Sequence, residues 1–95
     1  MIIIKSEHGF KIKSKEDAKT FLDYCLCFDG TLSVLIDKQH CFFIHRHNKS
    51  KKVWITEKLG NLQDVFNPEI QIPDEKMVDY IWKMRKYINQ KWFNN

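Results

Sequence analysis

His45 and His47 stand two apart in the run HCFFIHRH, residues 40–47. In a strand, residues two apart point to the same face, so both imidazoles could reach one metal ion. His40, Cys41 or His8 would have to complete the set, because zinc sites need three or four converging ligands. No Cys-x-x-Cys or His-x-x-x-His pair accompanies them. Cys25 and Cys27 fall on a predicted helix about 200° apart around its axis and cannot share a metal there. No metal or other cofactor is therefore expected. The same histidines, beside lysines, could supply a general acid and base to a small His- or metal-dependent nuclease. No spacing singles out such a pair, and no catalytic residue is assigned.

The surroundings of the histidines carry more. Residues 41–58 hold three aromatics and five of the chain's sixteen Lys and Arg. Period-2 alternation puts Cys41, Phe43, His45 and His47 on one side of a strand, with Phe42, Ile44 and Arg46 on the other. In the next strand Val53 and Ile55 share one side, Trp54 and Thr56 the other. Leu32, Val34 and Ile36 need the core together with Phe42 and Ile44, so the opposite face presents Phe43, His45 and His47, with Trp54 joining them if the register allows. Aromatics and cations on an open sheet are what single-stranded nucleic-acid binders use. Lys49, Lys51 and Lys52 on the NKSKK turn, with Arg46, would add phosphate contacts. The competing expectation is that an N-terminal hairpin covers this face and the tip lysines only discourage strand-edge aggregation. The lysines are read as belonging to the tip, apart from the histidine surface.

A second candidate lies near the C-terminus. Trp82, Lys86, Asn89 and Phe93 recur at i, i+4, i+7 and i+11, a stripe roughly 100–140° from the core stripe of the same helix. With Lys83 and Lys91 beside it, this stripe reads as a nucleic-acid platform, a protein-partner site or a homodimer seam through Trp82, Lys86 and Phe93. Otherwise the sheet and the 59–73 segment wrap the helix on two sides.

The elements that must position these residues follow from the pattern. IIIKSEHGFKIKS reads as a hairpin over residues 2–14. Ser14 is the N-cap of a helix over about 15–28, with Asp17 at N3 and Ala18, Phe21, Leu22, Cys25 and Leu26 on one apolar face. Gly30 stops it. TLSVLI, CFFIHRH and VWITEK are joined by short turns into an antiparallel meander. Residues 59–73, between Leu59 and Pro73, read as a loop with one helical turn at 62–66 and an extended segment after Pro68. A single helix runs from an Asp74 cap, with Met77, Ile81, Met84, Ile88 and Trp92 facing the core. The fold class is α+β: an antiparallel sheet (N-terminal hairpin plus three-stranded meander) with two helices on one face, in the order ββ-α-βββ-α.

Length and composition bound the rest. Ninety-five residues make one domain, 1–95, and 43% hydrophobic content with three Gly and two Pro is far from a disordered composition. MIII is cut short by Lys5 and is too brief for a signal-peptide core, so a cytoplasmic location and no membrane contact are expected. Three cysteines suggest no disulfide framework. The net charge of +4 conceals blocks: residues 38–58 carry +5, residues 59–79 carry −4, and residues 80–95 carry +4. Basic blocks of this kind concentrate polyanions or acidic proteins.

The inner order helix–three strands–helix is similar in outline to the double-stranded-RNA-binding domain over about residues 14–93. That family's lysine cluster and Gly-Pro-His-like loop are not matched, since the second helix opens DEKMVDY and the first β-turn is DKQH. No residue is carried over from it. The expected function is a small non-enzymatic protein that engages nucleic acid, or an acidic, nucleic-acid-handling protein, through Phe43, Arg46, Lys49, Lys51, Lys52, Trp54, Trp82, Lys83, Lys86 and Phe93. The alternative is a protein–protein inhibitor or immunity-type factor from a phage or mobile element, docking through the Trp82 stripe and the acidic 59–79 segment.

Overall fold

Ser14 starts the first helix as its spacing predicts. Its hydroxyl accepts from the Asp17 N–H at 3.1 Å, and the Asp17 carboxylate accepts from the Lys13 N–H at 2.9 Å. The structure is a computed structural model and describes residues 11–92. The first strand and the turn of the expected N-terminal hairpin, within residues 1–10, and Phe93 lie outside the described residues; residues 11–13, the rest of its expected second strand, form no strand. Helix α1 runs Lys15–Cys25 and ends by tightening, with Leu26, Cys27 and Phe28 each donating to the carbonyl three residues back. The chain then turns at Gly30, whose φ of 109° suits glycine.

Four antiparallel strands follow: β1 (Gly30–Asp37), β2 (His40–His47), β3 (Lys52–Leu59) and β4 (Glu69–Ile72), hydrogen-bonded in that order. The register sets Leu32 opposite Ile44 and Ile44 opposite Ile55, and Val34 opposite Phe42. Those residues form the face that packs on the helices. Phe21, Phe42, Ile44, Ile55, Ile81 and Ile88 are all fully buried there. The three-stranded meander is as expected; the fourth strand is not, because EIQI was read only as an extended segment. Pairing of Ile55 with Ile72 and of Lys58 with Glu69 recruits it to the sheet.

The C-terminal helix is not one rod. A 3-10 turn at Asp74–Lys76 leads into α2 (Met77–Lys83), and α3 (Arg85–Trp92) follows a break at Met84. There is no Pro or Gly at the break. Helix α2 packs on α1 whereas α3 packs on β1, so the chain redirects to cover two surfaces. The Arg85 guanidinium donates to the Trp82 carbonyl at 2.8 Å, at the end of the interrupted helix. Ile81, Met84 and Ile88 face the core as the stripe predicts, and Met77 lies at its margin. No helix among the described residues is long and apolar enough to cross a membrane.

Candidate functional site

Register decides what stands on the sheet face away from the helices. His45 pairs with Trp54 on one side and Thr31 on the other, while Phe43 pairs with Thr56 and Ser33. Trp54 therefore joins Phe43 and His45. The His45 and Trp54 rings stack with centroids 5.0 Å apart and planes inclined by 17°, and Phe43 leans toward His45 at 6.1 Å. The Lys52 ammonium lies 5.3 Å from the Trp54 ring centre. Contrary to the sequence reading, Lys52 thus belongs to the histidine surface as well as to the tip. Positions two apart in one strand share a face, and Lys52 and Trp54 are such a pair.

A hydrogen-bonded chain fixes the histidine. The Thr56 hydroxyl donates to Glu69 Oε2 at 2.8 Å, which leaves its oxygen to accept from His45 Nε2–H at 2.9 Å. His45 Nδ1 is then the acceptor for the Thr31 hydroxyl at 3.1 Å when the ring is neutral. Both ring nitrogens are occupied and the plane of the ring is set parallel to Trp54. Thr56, Lys58 and Cys41 on the same face are at most 9% exposed, whereas Thr31, His47 and Lys52 are exposed and Phe43, His45 and Trp54 half-buried. The accessible part of the face is the end nearest the β2–β3 turn.

That turn is itself built. His47 Nδ1 accepts from the Ser50 N–H at 3.3 Å, and Asn48 N–H donates to the Asp29 carboxylate at 2.8 Å. Lys51 adopts φ 54°, and its ammonium donates to the Asn48 side chain at 2.7 Å. Lys49, Lys51 and Lys52 are all exposed. Arg46 points to the helix side, with its guanidinium 5.6 Å from the Phe28 ring centre and donating to the Gly30 carbonyl.

The predicted helical stripe is placed differently from the open face. Trp82 is half-buried against the core, and the Arg85 guanidinium covers its ring at 3.8 Å. Asn89 is spent on structure, accepting from Ile12 N–H at 3.0 Å and donating to Ile12 O at 3.2 Å. Lys83 and Lys86 are exposed on the helices, Lys86 within 6.0 Å of the Tyr87 ring. The sheet separates them from Trp54, so the two basic surfaces do not merge. Phe93 lies outside the described residues.

The histidines are divided as well: His40 lies on the helix side with Phe42, His45 and His47 on the other. His40 and the Tyr80 hydroxyl both donate to Glu57 Oε2, at 2.9 and 2.8 Å. Burial pushes the Glu57 pKa up, but the hydrogen bonds from His40 and Tyr80 and the charges of His40 and Lys83 outweigh it and hold the carboxyl below its ordinary 4.5. Burial and the bond to Glu57 raise Tyr80 in turn. Glu57→Ala should cost about 1–3 kcal/mol by stranding the buried Tyr80 hydroxyl. A depressed carboxyl stabilises fully above its unfolded pKa and loses that contribution as pH falls through the folded value. The gap between the wild type and Glu57→Gln in urea melts should therefore be full at pH 7 and shrink below about pH 4.

Thiol chemistry finds little support at the buried cysteines. Burial pushes Cys25 up to about 12, and burial with the nearby Glu69 raises Cys41 despite Lys58. Among the described residues no three His, Cys, Asp or Glu side chains converge to hold a metal ion. Comparison of the chain with protein-family models, curated proteins and solved structures finds no match.

Proposed function

We propose that the protein is a non-enzymatic binding module that holds single-stranded nucleic acid on the turn-proximal end of its open sheet face. The observation that carries this reading is the parallel His45–Trp54 pair with Lys52 over the indole. A base extends such a stack whatever its identity, because every base has a π-face. Lys52, Lys49 and Lys51 lie where the adjoining phosphates would run, giving affinity without sequence reading. The hydrogen bond from the Thr31 hydroxyl and the one His45 donates to Thr56 hold the His45 ring in stacking orientation before any ligand arrives, which lowers the ordering cost of binding.

The test is fluorescence anisotropy with labelled 12-mers of thymidine and uridine at graded salt. Affinity should fall linearly on a log–log plot, and Trp54→Ala should weaken binding by about 1–3 kcal/mol, or roughly 5- to 150-fold. Undetectable binding at 20 mM salt, or an unchanged affinity in Trp54→Ala, would refute the reading.

A further inference from the structure

We infer that the outer edge of β4 is a docking site for an extended, amphipathic, basic segment of a partner protein. The two edges of the sheet are treated unequally. At β1, Lys91 of α3 reaches over and donates to the Ser33 carbonyl. At β4, no described strand pairs with the side turned away from β3. An edge left so is a template for a further strand.

The strand is two-faced in the manner an added strand could read. Ile70, 56% exposed, and half-buried Ile72 stand on the helix side; Glu69 and Gln71 stand exposed on the other. Beside Ile72 a cleft of about 340 Å³ opens between β4 and α2, lined by Ile72, Pro73, Lys76, Asp79, Tyr80 and Lys83. Strand addition takes its affinity from main-chain pairing and its selectivity from pockets for alternate side chains. This corner holds both parts.

The loop that delivers β4 points the same way. Val65 and Phe66 are 81% and 89% exposed, yet the loop beneath them is tied down. Asp64 accepts from the Phe66 N–H at 2.9 Å, and Asn67 donates to the Asn61 carbonyl at 2.7 Å. The Gly60 N–H bonds Gln39 O at 2.8 Å. A held loop that presents two adjacent apolar side chains to water is a preorganised anchor.

Charge selects the occupant. Residues 59–79 carry −4, which disfavours nucleic acid here and sets like charge against like in a symmetric pairing of two copies. A basic segment is complementary. Its apolar side chains would line up beside Ile70 and Ile72, one of them entering the cleft, while its Lys or Arg residues fall on the face of Glu69. The cleft rim carries Lys76 and Lys83, and its Asp79 is already paired with Lys15 at 3.1 Å, so the side chain it takes is one of the segment's apolar ones and not a cation.

Three octapeptides with blocked termini serve as probes: alternating Lys-Leu, alternating Glu-Leu and alternating Lys-Ser. Calorimetry and amide shifts on the full chain should show binding of the Lys-Leu peptide alone, with shifts confined to residues 64–73 and to the cleft wall at residues 76–83. Ile70→Lys should weaken it at least tenfold while melting like the wild type, and reversal of Lys49, Lys51 and Lys52 should not weaken it. Equal binding of either control peptide, no binding at millimolar Lys-Leu, shifts elsewhere, or indifference to Ile70→Lys would each overturn the inference. So would a dimer in sedimentation that Ile70→Lys dissociates, because the edge would then belong to a second copy.

Discussion

Phe42→Ala is expected to destabilise the protein by about 3–5 kcal/mol, the range for emptying a buried aromatic site. Phe42 is fully buried at the centre of the sheet, with Val34 on the neighbouring strand and the Tyr80 ring packed edge-on at 5.3 Å and 88°. Sheet and α2 meet at this ring, so neither layer can relax into the cavity without leaving the other. The loss also frees the Tyr80 ring that aims its hydroxyl at Glu57. A domain of this size has about 5–15 kcal/mol in total, and each kcal/mol lost lowers Tm by about 4–8 °C. The adjacent Phe43→Ala supplies the contrast: its half-buried ring lies on the other face, and its removal should cost about 1 kcal/mol. Urea and thermal melts of the two variants measure the difference. Equal costs would mean that the two faces of β2 are not divided as described.

That division was legible from residue order alone. Phe42 and Ile44 point to the core, Phe43 and His45 away from it, and Ser14 caps α1, because each depends only on neighbours in the chain. What the sequence conceals depends on partners far along it. Strand β4 has only four residues between Pro68 and Pro73, so its polar–apolar alternation is too short to tell a strand from an extended loop; its pairing with β3 is what makes it a strand. The break at Met84 has no helix-breaking residue to announce it and comes from the need of α2 and α3 to cover different surfaces. Trp54 joins His45 only through the β2–β3 register, and the Thr31 and Thr56 hydroxyls that fix His45 come from both neighbouring strands. The Trp82 stripe shows the converse: periodicity found it, but Arg85 and the Asn89–Ile12 bonds put much of it to structural use.

Strand β4 pairs with β3 over Ile55–Lys58, and Glu69 accepts from the Thr56 hydroxyl that in turn accepts from His45, so the two proposed surfaces are neighbours linked by that chain. Lys52 lies three residues from Ile55, about 10 Å at the rise of a strand and close to the Debye length at physiological salt, so the basic turn and the acidic β4 corner are only partly screened from each other. A polyanion and a basic protein segment would sit side by side on one chain.

Reversing Lys49, Lys51 and Lys52 together to Glu is the sharpest demand on the turn. On a single strand each phosphate contact adds about 0.7 to the log–log salt slope, so three contacts should account for a slope of about 2 and a roughly 20-fold loss between 50 and 200 mM salt. Extrapolated from 1 M to 50 mM salt, the same contacts are worth on the order of 500-fold, about 4 kcal/mol, and the reversed variant should lose at least that at low salt. Its remaining salt slope should be shallower, while Trp54→Ala should leave the slope unchanged and lower the whole line. Lys51→Gly separates charge from folding. The left-handed φ of Lys51 costs about 1–2 kcal/mol for a residue with a Cβ, more than the roughly 0.5–1 kcal/mol of chain entropy that glycine loses. That variant should melt no lower than the wild type and still bind with one contact fewer. If it unfolds earlier, the turn is not held as described; if the triple reversal keeps the wild-type slope, the turn does not meet phosphate.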